Sequence, residues 1–177
     1  MKILAILTNG FEELECIGSV ALWKRAGFEV DIHAIEANAA TGRFNVTLAN
    51  LHNLNDVALD NYDALFIPGG PHYSKIEGNE TVRKIIDYFM GHDKVVSAIC
   101  AAPTILGHMG YLRGKKYTCF TSMNEDFGGS FIDAYCAVDG KLITGRSAAA
   151  TIDFAFAVMG VLGGDELVNK VKADIYY

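Results

Sequence analysis

The stretch Val95-Val96-Ser97-Ala98-Ile99-Cys100-Ala101-Ala102-Pro103-Thr104 decides the fold. It reads as a buried strand that runs to Ile99, halts at a thiol, and restarts as a helix with Pro103 in its first turn. Ala98 and Ala102 stand two residues before and two after Cys100. Small side chains there let a strand and a helix cross at a sharp turn, the layout of a nucleophile elbow with Cys in place of Ser. At a helix N-terminus a thiol meets unpaired N–H groups and the positive end of the dipole, both of which favour the thiolate. The plain alternative is an inert cysteine in a core turn, because free cysteines are among the most buried residues. The flanking small residues tip the reading toward function.

Outward from the elbow, short apolar runs alternate with helical periodicity. Strands are expected at Lys2–Leu7, Phe28–Ile35, Ala64–Ile67 and Val95–Ile99, and helices at Glu12–Ala26, Val82–His92 and Pro103–Met109. Thr41–Leu51 is irregular, with a hairpin as one reading. Later, Tyr135–Val138 and Leu142–Thr144 flank the hairpin signal Asp139-Gly140-Lys141, and helices at Ala148–Leu162 and Asp165–Ala173 follow. Strands alternating with helices predict an α/β fold with a mostly parallel sheet covered on both faces. Such sheets gather their sites at the carboxyl ends of the strands. Three loops should therefore share one rim: Thr8-Asn9-Gly10, Gly69-Gly70 and the turn at Cys100.

The 177 residues predict one domain, large enough to need no staple. A net charge of -6 without a Lys/Arg cluster argues against nucleic-acid binding. The four cysteines, at 16, 100, 119 and 136, form no C-x-x-C pair and read as free thiols in a reducing compartment. No run reaches the ~20 apolar residues of a membrane span and no export signal is visible, so a cytoplasmic location is expected. The five histidines share no metal-ligand spacing, and no metal or other cofactor is expected.

On the rim, Gly69 and Gly70 have two readings. Their N–H groups, with that of Ala101, could form an oxyanion hole, or they could serve only a tight turn that needs positive φ. Glu12 and Glu13 read as ordinary first-turn acids. Glu15 precedes the small residues Gly18 and Ser19 on a face that reads as buried. A carboxyl there would have a raised pKa and stay protonated beside a thiolate; otherwise it is one more first-turn acid. His72, two residues past Gly70, is a candidate base or substrate contact for Cys100, set against a satisfied structural histidine.

Three segments in order carry a family resemblance: Gly10-Phe11-Glu12-Glu13-Leu14-Glu15, then Tyr62-Asp63-Ala64-Leu65-Phe66-Ile67-Pro68-Gly69-Gly70, then Ala98-Ile99-Cys100-Ala101-Ala102-Pro103. Along nearly its whole length the chain resembles the DJ-1/ThiJ/PfpI superfamily. The resemblance implies a flavodoxin-like three-layer sandwich and a homodimer. It also implies an oxidisable low-pKa thiol at Cys100, a protonated Glu15 bonded to it, and oxyanion donors at Gly70 and Ala101. Departures are visible too. Protease-like members carry His after the nucleophile, where this chain has Ala101. DJ-1-like members carry His where this chain has Phe120, and the family's Gly-Pro-Gly before the late helix is Ser147-Ala148-Ala149-Ala150 here. The class I glutaminase alternative fails for want of a His-x-Glu pair after His108. Three functions remain open: a thiol enzyme acting on small reactive carbonyls (glyoxalase or deglycase chemistry), a non-enzymatic redox or stress-response protein, and an intracellular cysteine protease, disfavoured by Ala101.

Overall fold

Strands β1 (Lys2–Leu7), β6 (Ala64–Ile67) and β7 (Val95–Ile99) form the centre of the molecule, in a computed structural model describing residues 1–36 and 38–177. The other strands are β2 (Glu29–Ala34), β3 (Ala39–Thr41), β4 (Thr47–Ala49), β5 (His52–Asn53), β8 (Lys116–Tyr117), β9 (Ser130–Phe131), β10 (Cys136–Asp139) and β11 (Leu142–Gly145). The helices are α1 (Ser19–Arg25), α2 (Tyr73–Gly78), α3 (Glu80–Gly91), α4 (Ala102–His108), α5 (Thr151–Gly163) and α6 (Asp165–Asp174).

Seven strands make one sheet in the order β10-β11-β7-β6-β1-β2-β5, parallel throughout except at β10–β11. The central strands carry no alternation because helices cover both faces. On one side Trp23 packs edge-on to Phe66 at 4.8 Å and both meet Phe154 of α5. Removing a ring as buried as Phe66 costs about 3–5 kcal/mol. On the other side Ile76, Ile86, Phe89 and Leu106 bring α2, α3 and α4 onto the sheet. The expected flavodoxin-like sandwich is the observed architecture. Among the described residues no helix is long and apolar enough to cross a membrane.

Several local expectations shift. The Thr41–Leu51 segment is a β3–β4 hairpin that begins earlier, at Ala39. The helix expected from Glu12 begins as a π-helical turn, Leu14–Gly18, before α1 takes over at Ser19. The late helix opens with a 3₁₀ turn, Ala148–Ala150. Helix α2 and the short strands β5, β8 and β9 gave no periodic signal, being too short to show one.

The chain runs from β1 outward to β2, then returns to the other side of β1 as β6. This reversal is a topological switch point, and the loops leaving β1, β6 and β7 meet beside it, as the sequence order predicts.

Candidate active site around Cys100

Cys100 has φ +64°, in the left-handed region that a non-glycine residue enters at a cost of about 1–2 kcal/mol. The neighbouring chain holds it there: its N–H donates to Gly145 O (2.9 Å) and its carbonyl accepts from Phe120 N–H (2.8 Å). Ala98 and Ala102 are fully buried, so the elbow is as tight as their size suggests. Strain held at a partly exposed thiol is what a nucleophile elbow requires.

The glycines serve two separate purposes. A side chain on Gly69 would lie 2.5 Å from the Cys100 Cβ and 2.5 Å from Glu15 Oε2, so only a glycine lets these two groups face each other. Its N–H donates to Glu15 Oε2 at 2.8 Å and is therefore spent. Gly69 is thus not an oxyanion donor, correcting the broader reading of the pair. Gly70 has φ +106° and packs against the backbone of Gly10 and Phe11. Its N–H donates to no backbone or side-chain group among the described residues. Gly70 and Ala101 border one cavity of about 160 Å³ with Cys100.

Glu15 is fully buried within the π-helical turn, a distortion frequent at functional sites. Its Oε1 has no hydrogen-bond partner among the described residues, and the Cys100 thiol lies beside the carboxyl. Burial lifts its pKa to about 7; the Cys100 and Gly69 hydrogen bonds pull the other way, and the Glu12 carboxylate adds to the rise. Burial and, when it is ionised, the Glu15 carboxylate also push the Cys100 thiol up, with only the Ala101 N–H favouring the thiolate. The helix-terminus argument for a lowered thiol pKa is therefore outweighed locally. An ionised Glu15 makes the thiol harder still to ionise, so a neutral Glu15 is the state compatible with a thiolate.

The other rim acids are structural. Glu12 accepts from Glu15 N–H at 2.8 Å, a local cap. Glu13 is not an ordinary first-turn acid: it is buried, and Oε1 accepts from Phe44 N–H (2.7 Å) in the β3–β4 hairpin. That latch brings the neighbouring Arg43 to the cavity, where its charge opposes the rise of Glu15. No spacing in the sequence marks Arg43.

His72 is not a base or a substrate contact. It is 1 % exposed and both ring nitrogens are committed, Nε2–H to Pro68 O (2.9 Å) and Nδ1 to Thr8 N–H (3.3 Å). Burial drives its pKa down to about 4, so it is a neutral strut between two rim loops. Phe120 and Met123 form an apolar wall of the cavity, and Tyr73 lies on it as well; the sequence flagged only Phe120. Among the described residues no three His, Cys, Asp or Glu side chains are grouped so as to hold a metal ion.

The DJ-1/PfpI family model matches residues 1–160. The chain belongs to the DJ-1/PfpI family. "Deglycase PfpI" of Pyrococcus furiosus is 32% identical over 149 residues, covering 82% of this chain and 90% of that protein. "Protein dj-1beta" of Drosophila melanogaster is 31% identical over 175 residues, covering 95% and 92%. "Putative cysteine protease YraA" of Bacillus subtilis is 29% identical over 150 residues, covering 82% and 89%. The crystal structure of the Drosophila protein superposes with a TM-score of 0.91, at 29% identity over 99% of this chain and 97% of that one. Family members thus carry both deglycase and protease names, and the choice between them falls to this chain's own cavity.

Proposed function

We propose that this DJ-1/PfpI-family chain is a thiol enzyme acting on small reactive carbonyls, in the manner of a glyoxalase or deglycase. One observation carries the reading: Cys100, Gly70 and Ala101 line one cavity of about 160 Å³, and the buried Glu15 carboxyl lies beside the thiol. Glu15 keeps the pair's proton, and the Cys100 thiolate adds to the carbonyl carbon. As the C–S bond forms, the π pair moves onto oxygen, where the Gly70 and Ala101 N–H groups hold it. Such donors are each worth about 10²–10³-fold in rate. The deglycase name of the Pyrococcus relative supports the substrate class.

A peptidase fits this cavity poorly. Its volume suits a molecule of a few heavy atoms rather than a peptide segment. Cys–His proteolysis also needs an imidazole at the thiol, and Ala101 and the committed His72 leave none there.

Methylglyoxal consumption by the purified protein, followed alongside Cys100→Ala, tests the reading. Turnover lost in the variant supports it. Wild-type protein that consumes no glyoxal, yet oxidises reversibly at Cys100, would leave the redox role in its place.

We also propose a homodimer. Leu14 and Ile17 on the π-helical turn and Ile152 on α5 are exposed apolar side chains on two elements packed together. Sedimentation at micromolar concentration should show twice the chain mass, and a single-chain species alone would refute the dimer.

A further inference from the structure

We propose that Tyr73 is a catalytic residue of this site, donating a proton to the oxyanion formed when Cys100 adds to a carbonyl. The inference rests on the carbonyl reading and extends it, naming the group that replaces the absent histidine.

The chain has eight tyrosines. The hydroxyls of Tyr62, Tyr88, Tyr111, Tyr117 and Tyr177 donate to side-chain oxygens of Asp31, Asp60, Asp87, Asn124 and Asp153 respectively. Tyr135 and Tyr176 are exposed to solvent. Tyr73 alone is half-buried with a hydroxyl that no described residue engages. That hydroxyl is open to solvent rather than sealed in the core, which leaves it uncommitted on a residue that lines the cavity.

Its placement is fixed from two sides. The ring packs on the core cluster containing Ile76 and Ala102, and the backbone N–H donates to Gly70 O at 3.1 Å. Tyr73 is thus tied to the turn that supplies the Gly70 donor, on the wall of the cavity that Cys100 enters. Of the side chains on that cavity, only those of Cys100, Arg43 and Tyr73 bear a proton on sulfur, nitrogen or oxygen. A guanidinium does not release its proton near neutral pH, which leaves the phenol as the acid.

In the step, the sulfur lone pair forms the C–S bond and the carbonyl π pair moves to oxygen. That oxygen takes the Tyr73 proton, giving a neutral hemithioacetal. The phenolate then recovers a proton from water, releasing hydroxide, so the charge carried in by the thiolate is conserved.

Tyr73→Phe removes one oxygen and keeps the ring. Its kcat for methylglyoxal should fall about 10²-fold or more, with KM held within about threefold. Alkylation of Cys100 by iodoacetamide should keep its wild-type rate, because that displacement expels iodide and places no charge on a substrate oxygen. Tyr73→Leu, run in parallel, should lose as much kcat and also raise KM. Full kcat in Tyr73→Phe, with Cys100→Ala inactive, overturns the role of Tyr73 and leaves the carbonyl reading standing. Loss of turnover and alkylation together makes Tyr73 a packing residue and also overturns it. Turnover that survives in Cys100→Ala removes the carbonyl reading, and this proposal with it.

Discussion

Glu15 and His72 flank the same Pro68–Gly70 turn, both buried and both titratable, yet only one is available for chemistry. His72 spends each nitrogen on the backbone, at Thr8 and Pro68. Glu15 spends one oxygen on Gly69 and leaves the other without a hydrogen-bond partner, with the Cys100 thiol beside the carboxyl. Burial moves each toward its neutral form, Glu15 up to about 7 and His72 down to about 4. A buried ionisable group becomes functional through the valence its surroundings leave unmet, not through its shifted pKa.

The sharpest way to break this comparison is stability against pH, in a Cys100→Ala background where no thiol shares the Glu15 proton. An acid with a raised folded pKa favours the folded state while protonated. The Glu15 contribution is therefore whole below about pH 4.5 and lost as pH rises through about 7 or higher, because the Cys100 bond that holds the pKa down is gone. A base with a depressed folded pKa behaves oppositely. The His72 contribution is whole above about pH 6.5 and lost as pH falls through about 4. Each is worth about 3 kcal/mol, and between pH 4.5 and 6.5 the two slopes oppose each other. Adding His72→Gln should expose a stability that declines toward neutral pH, and adding Glu15→Gln one that climbs. Urea denaturation across that range checks this, and parallel curves for the two variants would show that the groups are not the opposed pair described.

Next in size is the effect on the thiol. If Glu15 donates its proton to a Cys100 thiolate, Glu15→Leu should raise the thiol pKa by about 1–2 pH units, the worth of one charge-assisted hydrogen bond. His72→Leu should leave it where it is, since His72 faces the backbone. Thiolate absorbance near ~240 nm reads both. A fall in Glu15→Leu would mean that Glu15 carries the negative charge and opposes the thiolate.

The smallest effect separates the cysteines. Cys16 and Cys119 are buried, and Cys136, partly exposed like Cys100, opens strand β10 rather than a helix and does not line the Cys100 cavity. Iodoacetamide at mildly acidic pH should label Cys100 ahead of the others by on the order of tenfold, read by peptide mass spectrometry. Equal labelling would remove the elbow's chemical meaning.

Much of the site is visible in the chain itself, for reasons that are local. The elbow needs small residues at fixed offsets from the thiol, so Ala98, Cys100 and Ala102 can be found without coordinates. Gly69 and Gly70 could be flagged as a pair but not divided. One stands where Glu15 and Cys100 crowd in, the other at a positive φ against the Gly10–Phe11 backbone, and both neighbours lie far away in sequence. Arg43 and Tyr73 left no trace. Each reaches the cavity through a contact made by another residue, Glu13 latching the hairpin and Gly70 anchoring the start of α2.

Alternating strands and helices, an apolar run that stops at a thiol, and loop order along the chain determined the parallel sandwich and the residues gathered on one rim. Periodicity and turn chemistry are written in neighbouring residues, and the right-handed crossover leaves few ways to assemble them. Only the tertiary structure decided which rim groups are free to react. That depends on where each polar atom finds its partner, and here the partners of Glu15, His72 and Gly69 come from other loops. Burial removes water as the default partner, so the same carboxyl or imidazole becomes a strut or a reagent according to contacts that no local pattern records.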